Sequence, residues 1–277
     1  MNKGLSGSYI EMIDNFTIRK KSTNPRLVFQ CEKQMKFSSS YSSLINIKTP
    51  NVISYKWNDK DRDFYFDMEY IPSSSFKDFF LSANKVDLDR FYHDLKQYLD
   101  LSHRVNSFSL YDCNSLIKKK LNTLLSGKYK DFVNYIIHLL KNETIVLPNT
   151  NCHGDLTTSN ILFNNGKHYF IDFLDSHIDT YYYDLSKLKQ DLYYKWSLNV
   201  EKVTSLKVEQ CIDYLWRMLY NDYITIFESR EFQFIDALTL LRIDPYVKDE
   251  DLDIILNNSI RKLKLYEQFV IADSRKV

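Results

Sequence analysis

The spacing of apolar residues changes period near residue 70. Before it, short alternating runs such as Tyr9, Glu11, Ile13 and Phe16, Ile18, broken by Asp14 and Asn15, predict strands. Residues 52–57 and 63–70 predict two more, with a charged turn over 58–62, and residues 26–37, after Pro25, predict one helix. A serine-rich stretch, 38–43, reads as a loop. From Ser75 onward apolar residues recur at helical spacing, as in Phe76, Phe79, Phe80 and in Leu88, Phe91, Tyr92, Leu95. Gly127 follows Leu121, Leu124 and Leu125 as an expected helix C-cap, ahead of a helix over 131–140. One β island interrupts the helices: strands over 161–163 and 168–172, joined by Asn164, Asn165 and Gly166, a strong hairpin signal. Residues 184–272 are again helical, with amphipathic runs over 208–227 and 252–269. The pattern predicts an α+β fold of two lobes, a small β-rich lobe over 1–70 and a larger helical lobe over 71–277.

Composition narrows the function classes. With 44% hydrophobic and 26% charged residues the chain is of globular type. Its 37 basic and 36 acidic residues leave no global field to hold nucleic acid or an anionic membrane, and neither is expected as a partner. Basic runs at Arg19 to Lys21 and Lys118 to Lys120 read as solvated faces. Cys31, Cys113, Cys152 and Cys211 show no CxxC pairing, so reduced thiols in a cytoplasmic protein are expected and zinc is unsupported. Residues 1–8 lack the apolar run of a signal peptide. Only 5 residues are glycine, against a usual share of about 7%, so each is expected where positive φ or close approach demands it.

The chemistry concentrates in His153, Gly154, Asp155, Leu156, Thr157, Thr158, Ser159, Asn160, followed by the hairpin and then Ile171, Asp172, Phe173. A carboxylate, an amide five residues on and a second carboxylate after the hairpin are a set that phosphoryl transfer requires. The first can accept a proton from an attacking hydroxyl, and the other two offer hard oxygen ligands to Mg²⁺. This run resembles the catalytic loop of the aminoglycoside phosphotransferase and choline kinase family, small-molecule kinases that share the protein-kinase fold, with the pattern HGDxxxxN and then IDF. The resemblance implies Asp155 as catalytic base, His153 as the loop-ordering histidine, and Asn160 and Asp172 as metal ligands.

Further segments fall in the family's order. Gly4, Leu5, Ser6, Gly7, Ser8 is similar to the nucleotide loop between the first two strands, though it is neither a Walker A loop nor GxGxxG. The segment Phe16 to Lys20 looks like the third strand, whose cation meets the α and β phosphates. If Phe16 and Ile18 face the core, Arg19 is the first choice, and Lys20 the second, because a one-residue slip exchanges their faces. Glu32 is the acid expected to orient that cation. Met68, Glu69, Tyr70, Ile71, Pro72 resembles the hinge, with Met68 as gatekeeper and the Glu69 carbonyl and Ile71 amide on the adenine. Asp184 is expected as an N-cap, and Asp175 and Asp179 either as acceptor ligands or as solvated charges. The tyrosines 181–183, with Tyr193, Tyr194 and Trp196, can stack on a sugar or pack in a core.

The resemblance implies transfer of the γ-phosphoryl of ATP or GTP, with Mg²⁺, to a hydroxyl of a sugar-like or amino-alcohol acceptor. A nucleotide-binding module without turnover is disfavoured because Asp155, Asn160 and Asp172 are all present. A protein kinase is disfavoured because 172–184 holds no long activation loop or APE segment. A polycationic aminoglycoside is less attractive without an acidic excess.

Overall fold

The computed structural model describes residues 2–3, 8–58, 63–105, 110–174, 178–247 and 250–274. In chain order the strands and helices are β1 (Asn2–Lys3), β2 (Tyr9–Met12), β3 (Thr17–Ser22), α1 (Arg26–Ser40), β4 (Ile47–Lys48), β5 (Val52–Asn58), β6 (Asp63–Glu69), α2 (Phe76–Ser82) and α3 (Lys85–Val105). There follow β7 (Leu110–Asp112), α4 (Asn114–Asn122), α5 (Lys130–Asn142), β8 (Val146–Pro148), β9 (Ile161–Asn164) and β10 (Lys167–Phe170). Six helices complete the described residues: α6 (Tyr181–Leu192), α7 (Trp196–Val200), α8 (Leu206–Phe227), α9 (Arg230–Leu241), α10 (Glu250–Arg261) and α11 (Lys264–Ser274). The fold is α+β, as the period change predicts. The serine stretch departs from expectation: α1 runs on through Ser40, because Phe37 and Tyr41 pack on each other and on Tyr98 and carry the helix past Ser38.

Two compact units emerge, Met1–Leu101 with His153–Ser176, and Ser102–Cys152 with His177–Val277. The change of period at Tyr70 therefore marks the end of a sheet rather than the edge of the first unit. Beyond it, Ser74 exchanges two backbone hydrogen bonds with Phe163 on β9, at 2.9 and 3.2 Å, and α2 lays Phe79 flat on Phe163 with ring centroids 4.0 Å apart.

Within the first unit, a five-stranded sheet has the order β1-β2-β3-β6-β5, and a smaller one the order β4-β10-β9. The large sheet buries one face against α1, through Leu27, Cys31, Phe64, Phe66 and Met68. On β3 the residues sharing that face are Ile18, Lys20 and Ser22, since Ile18 packs on the same cluster and Lys20 and Ser22 are buried. Phe16, expected to face the core, is 80% exposed and lies just before the strand. The β9–β10 hairpin turns at Asn165 and Gly166, both with positive φ (49° and 74°), as its Asn-Gly sequence predicts.

The second unit is helical apart from the β7–β8 pair. Its core joins Ile117, Leu121, Phe132, Val133 and Ile136 with Phe234, Leu238, Leu256 and Ile260. Tyr181, Tyr183 and Tyr194 are buried, so the tyrosine cluster is mostly core. Thr180, and not Asp184, caps α6: its hydroxyl accepts from the Tyr182 N–H, while Asp184 is buried one turn inside the helix. Gly127 also departs from expectation. Positive φ among the described glycines is confined to Gly154 and Gly166. A Cβ on Gly127 would stand 2.7 Å from Asp244 Oδ2 and 3.2 Å from the Leu124 carbonyl oxygen, so the position is one of close approach, which the Asp244 side chain can relieve by moving, and not a left-handed cap.

Phe163 is surrounded by Phe79, Phe80, Phe91 and His168. We expect Phe163→Ala to lower the unfolding free energy by about 3–5 kcal/mol, and the exposed Phe16→Ser to change it by less than about 0.5 kcal/mol. Urea denaturation followed by far-UV circular dichroism measures both.

Candidate active site

His153 is fully buried, its ring 4.3 Å from that of Phe173 and edge-on to Phe170. Burial pushes its pKa down to about 4, so the imidazole is neutral. The hydrogen bonds assign its tautomer. The Asp155 N–H donates to Nδ1 at 3.2 Å, so Nδ1 is bare and Nε2–H donates to the Ile171 carbonyl at 2.8 Å. One ring thus ties the loop holding Asp155 to the segment holding Asp172. Between the two tied positions, Gly154 adopts φ 87°, a conformation for which glycine is suited.

Asp155 is half-buried, and Asn160 reaches back to it: Nδ2 donates to the Asp155 carbonyl at 2.8 Å and to its Oδ2 at 3.2 Å. That orientation aims the Asn160 amide nitrogen at Asp155 and leaves Oδ1 as the group suited to a cation. Asn160 is itself held, since its carbonyl accepts from the Ile171 N–H at 3.0 Å and its N–H donates to Thr157 at 3.1 Å.

Asp172 has φ 58°, in the left-handed region. Both flanks over-determine it. Ile171 is bound through its N–H to Asn160 and through its carbonyl to His153, and the Leu174 N–H donates to the His153 carbonyl at 3.1 Å. Lys33 on α1 adds a bond from Nζ to the Leu174 carbonyl at 2.9 Å. The Asp172 side chain is 46% exposed, and its Oδ1 accepts from Lys20 Nζ at 2.6 Å.

Lys20 is 3% exposed, and its Nζ also donates to Gln30 Oε1 at 3.0 Å. The two cations of β3 are therefore separated by the strand's pleat, and in the order opposite to the first choice. Arg19 lies on the other face, in a two-point ion pair with Asp67 at 2.7 and 3.0 Å and over the Tyr65 ring at 4.0 Å. That guanidinium holds the Asp67 carboxyl below its usual range. Glu32 is exposed and does not take the expected position. Helical residues advance by about 100°, so Gln30, one turn from Leu27 and Gln34 on the buried stripe, faces the sheet and Glu32 faces solvent. Gln30 was legible only as a polar residue on an apolar stripe.

Met68 is buried on the α1 side of the sheet, where Gln34 Nε2 lies 3.7 Å from its sulfur. Glu69 ends β6, its N–H donating to Asn51, and Tyr70 donates to the Phe16 carbonyl at 2.7 Å; Ile71 is buried. Ser8, which begins β2's approach, is buried, whereas Gly4, Ser6 and Gly7 lie outside the described residues. Asp175 also lies outside them. Asp179 is in the second unit, exposed, with its carbonyl accepting from Thr150 and Oδ1 3.7 Å from Cys152 Sγ.

Magnesium is held by one or two carboxylates together with substrate phosphates and water. Asn160 Oδ1 and Asp172 fit such a site, and the pinned left-handed backbone at Asp172 fixes its carboxylate independently of the ion. Among the described residues no cluster of three His, Cys, Asp or Glu forms an all-protein metal cage.

The buried His153 makes a test by pH. Its folded pKa lies below the ordinary 6.5, so the stability it contributes is complete above pH 6.5 and is lost as pH falls toward 4. This loss amounts to about 3 kcal/mol at about 1.4 kcal/mol per pH unit. Urea midpoints at pH 7, 5.5 and 4.5 should fall more steeply for the wild type than for His153→Asn. Parallel pH slopes would remove the assignment.

Residues 43–203, more than half the chain, match the phosphotransferase enzyme family. A search of curated proteins finds no match. Among solved structures, the chain is similar to a ternary complex of a thermostable mutant of aminoglycoside phosphotransferase APH(4)-Ia with ADP and hygromycin B, at 10% identity, covering 94% of each chain with a TM-score of 0.60. It is similar to the GDP complex of aminoglycoside 2'-phosphotransferase-IIIa, at 12% identity, covering 94% of this chain and 91% of that one with a TM-score of 0.59. A third likeness, at 14% identity, covers 85% of this chain and 80% of a streptomycin-ATP-APH(2")-IIa complex, with a TM-score of 0.53. No helix of the described residues is long and apolar enough to cross a membrane. With its α+β fold, its HGDxxxxN loop and a match across its middle, the chain belongs to the phosphotransferase enzyme family.

Proposed function

We propose that the chain transfers the γ-phosphoryl group of ATP or GTP to a hydroxyl of a small, sugar-like or amino-alcohol acceptor. The observation that carries this reading is the linkage of Asp155, Asn160, Asp172 and Lys20 by hydrogen bonds within one compact unit. Structures similar to it were solved as ATP, ADP or GDP complexes, which supports a purine nucleotide as donor.

Asp155 accepts the acceptor's hydroxyl proton as its oxygen attacks the γ-phosphorus and the bond to the leaving nucleoside diphosphate breaks. Asn160 donates to one Asp155 oxygen, so the carboxylate is oriented while its other oxygen serves as base. Asn160 Oδ1 and Asp172 would hold Mg²⁺, whose charge offsets that of the phosphates. Lys20 supplies a fixed ammonium for the α and β phosphates, in exchange for its bond to Asp172, and Gln30 keeps it in place during that exchange. Met68, Glu69 and Ile71 flank the adenine. The cell compartment in this reading is the cytoplasm.

Two variants separate the roles. Asp155→Asn should lower kcat by about 100- to 10,000-fold while a fluorescent nucleotide analogue binds nearly as before. Lys20→Ala should weaken nucleotide binding by about 10- to 100-fold, the value of a lost charged hydrogen bond, and Arg19→Ala should change it by less than about twofold, as expected for a partly exposed pair on the other face. A coupled ADP-release assay over sugars, amino alcohols and aminoglycosides reads turnover. Full activity in Asp155→Asn would remove that residue as base, and tight nucleotide binding with no acceptor-dependent turnover would favour a binding module.

A further inference from the structure

The second unit carries an open surface cavity of about 520 Å³ lined by Leu192, Tyr193, Gln210, Asp213, Trp216 and Arg217. It lies at the C-terminal end of α6, whose N-terminal end follows Asp179, and against the first turns of α8. Its size is that of a small-ligand pocket, and none of these residues takes part in the phosphoryl-transfer reading.

The lining is built from two components. One is aromatic. The rings of Tyr193 and Trp216 stand 5.1 Å apart at 37°, and Trp216 is backed by Phe227 at 5.2 Å and Tyr220 at 5.5 Å, which fix the plane it offers. Tyr193 is 38% exposed, in contrast to its buried neighbour Tyr194. The other component is polar. Gln210, Asp213 and Arg217 are exposed and project from successive turns of α8, a spacing that places them on one stripe. Lys195 Nζ steadies Asp213 at 3.0 Å, and Arg217 Nε donates to the Asp213 carbonyl at 3.3 Å.

A flat aromatic wall beside a short row of planar hydrogen-bonding groups fits a ring with an apolar C–H face and a hydroxyl-bearing edge. Charge limits the choice further. The electron-rich ring of Tyr193 already carries two ammonium groups, Lys262 at 5.4 Å and Lys189 at 5.7 Å. Lys189 is paired with Asp236 at 2.6 Å, whereas Arg217 adds a further cation, and the one carboxylate of the lining, Asp213, is engaged with Lys195. A polycation would meet like charges and a ring face already satisfied.

We propose that this cavity is a saccharide-binding site that takes a pyranose carrying no positive charge. The site is independent of the reading given to Asp155, and its test uses neither nucleotide nor turnover. Saturation-transfer NMR with methyl β-glucoside and with glucuronate should show transfer to the sugar protons in the wild type, with kanamycin weaker than either. Tyr193→Ser, at an exposed ring, should reduce affinity at least tenfold, and the double variant Gln210→Ala, Arg217→Ala should do likewise with an unchanged melting temperature. Absence of transfer with both sugars at high millimolar concentration overturns the proposal, as does equal binding in the double variant or tighter binding of kanamycin that the variants abolish.

Discussion

A neutral, buried imidazole governs the geometry of the segments that carry Asp155, Asn160 and Asp172. His153 must accept at Nδ1 from the Asp155 amide and donate at Nε2 to the Ile171 carbonyl, and only an uncharged ring does both. Burial against Phe170 and Phe173 supplies the neutrality. The aromatic core is thus more than filler: without it the ring would take a proton more readily, lose its acceptor, and release the Asp155 loop. Gly154 is the complement, because the turn that lets residue 155 reach back to residue 153 needs positive φ.

The second constraint is the cost of burying the ammonium of Lys20. An unpaired charge in such a place would cost several kcal/mol, and it is compensated by an amide oxygen on α1 and a carboxylate at the left-handed turn. Pairing with Gln30 instead of an acid matters electrostatically. The amide oxygen orients the cation without neutralising it, so its full charge remains directed at Asp172 and, in the proposed reaction, at phosphate. The outer face of the same strand shows the opposite arrangement, in which Arg19 is consumed by Asp67 and Tyr65 and serves the sheet.

Local chemistry was legible in the sequence and tertiary choices were not. Residues 153–173 could be read because the loop, the Asn-Gly turn and the two carboxylates depend on near neighbours along the chain. Which cation of β3 is buried beside Asp172 could not be read because it depends on which face α1 covers. Phe16 suggested one parity, yet it lies before the strand and points to solvent, and Ile18, Lys20 and Ser22 take the buried face. Glu32 was favoured for its charge, whereas the helical phase selects Gln30. The border at Tyr70 followed the change in period, but Phe79 stacking on Phe163 ties the segment beyond it to the same unit. Gly127 was read as a cap because helix ends favour glycine, and the nearby Asp244 carboxylate, 117 residues later in numbering, was invisible from local spacing.

Tyrosine illustrates the limit most clearly. Tyr181, Tyr183, Tyr193 and Tyr194 are alike in sequence context, all on or beside α6, and either core or recognition suits each. Packing separates them. The first two and Tyr194 are buried, Tyr194 with its hydroxyl donating to Asp236 at 3.2 Å, and desolvation, with the Asp236 charge beside it, raises its pKa. Tyr193 is carried outward by the helix end, where its ring meets Trp216 from α8. An aromatic residue becomes available for recognition only where the fold fails to cover it, and here that depends on the pairing of helices distant in sequence. The HGDxxxxN loop, fixed by near neighbours along the chain, therefore points to a reaction class without specifying what receives the phosphoryl group.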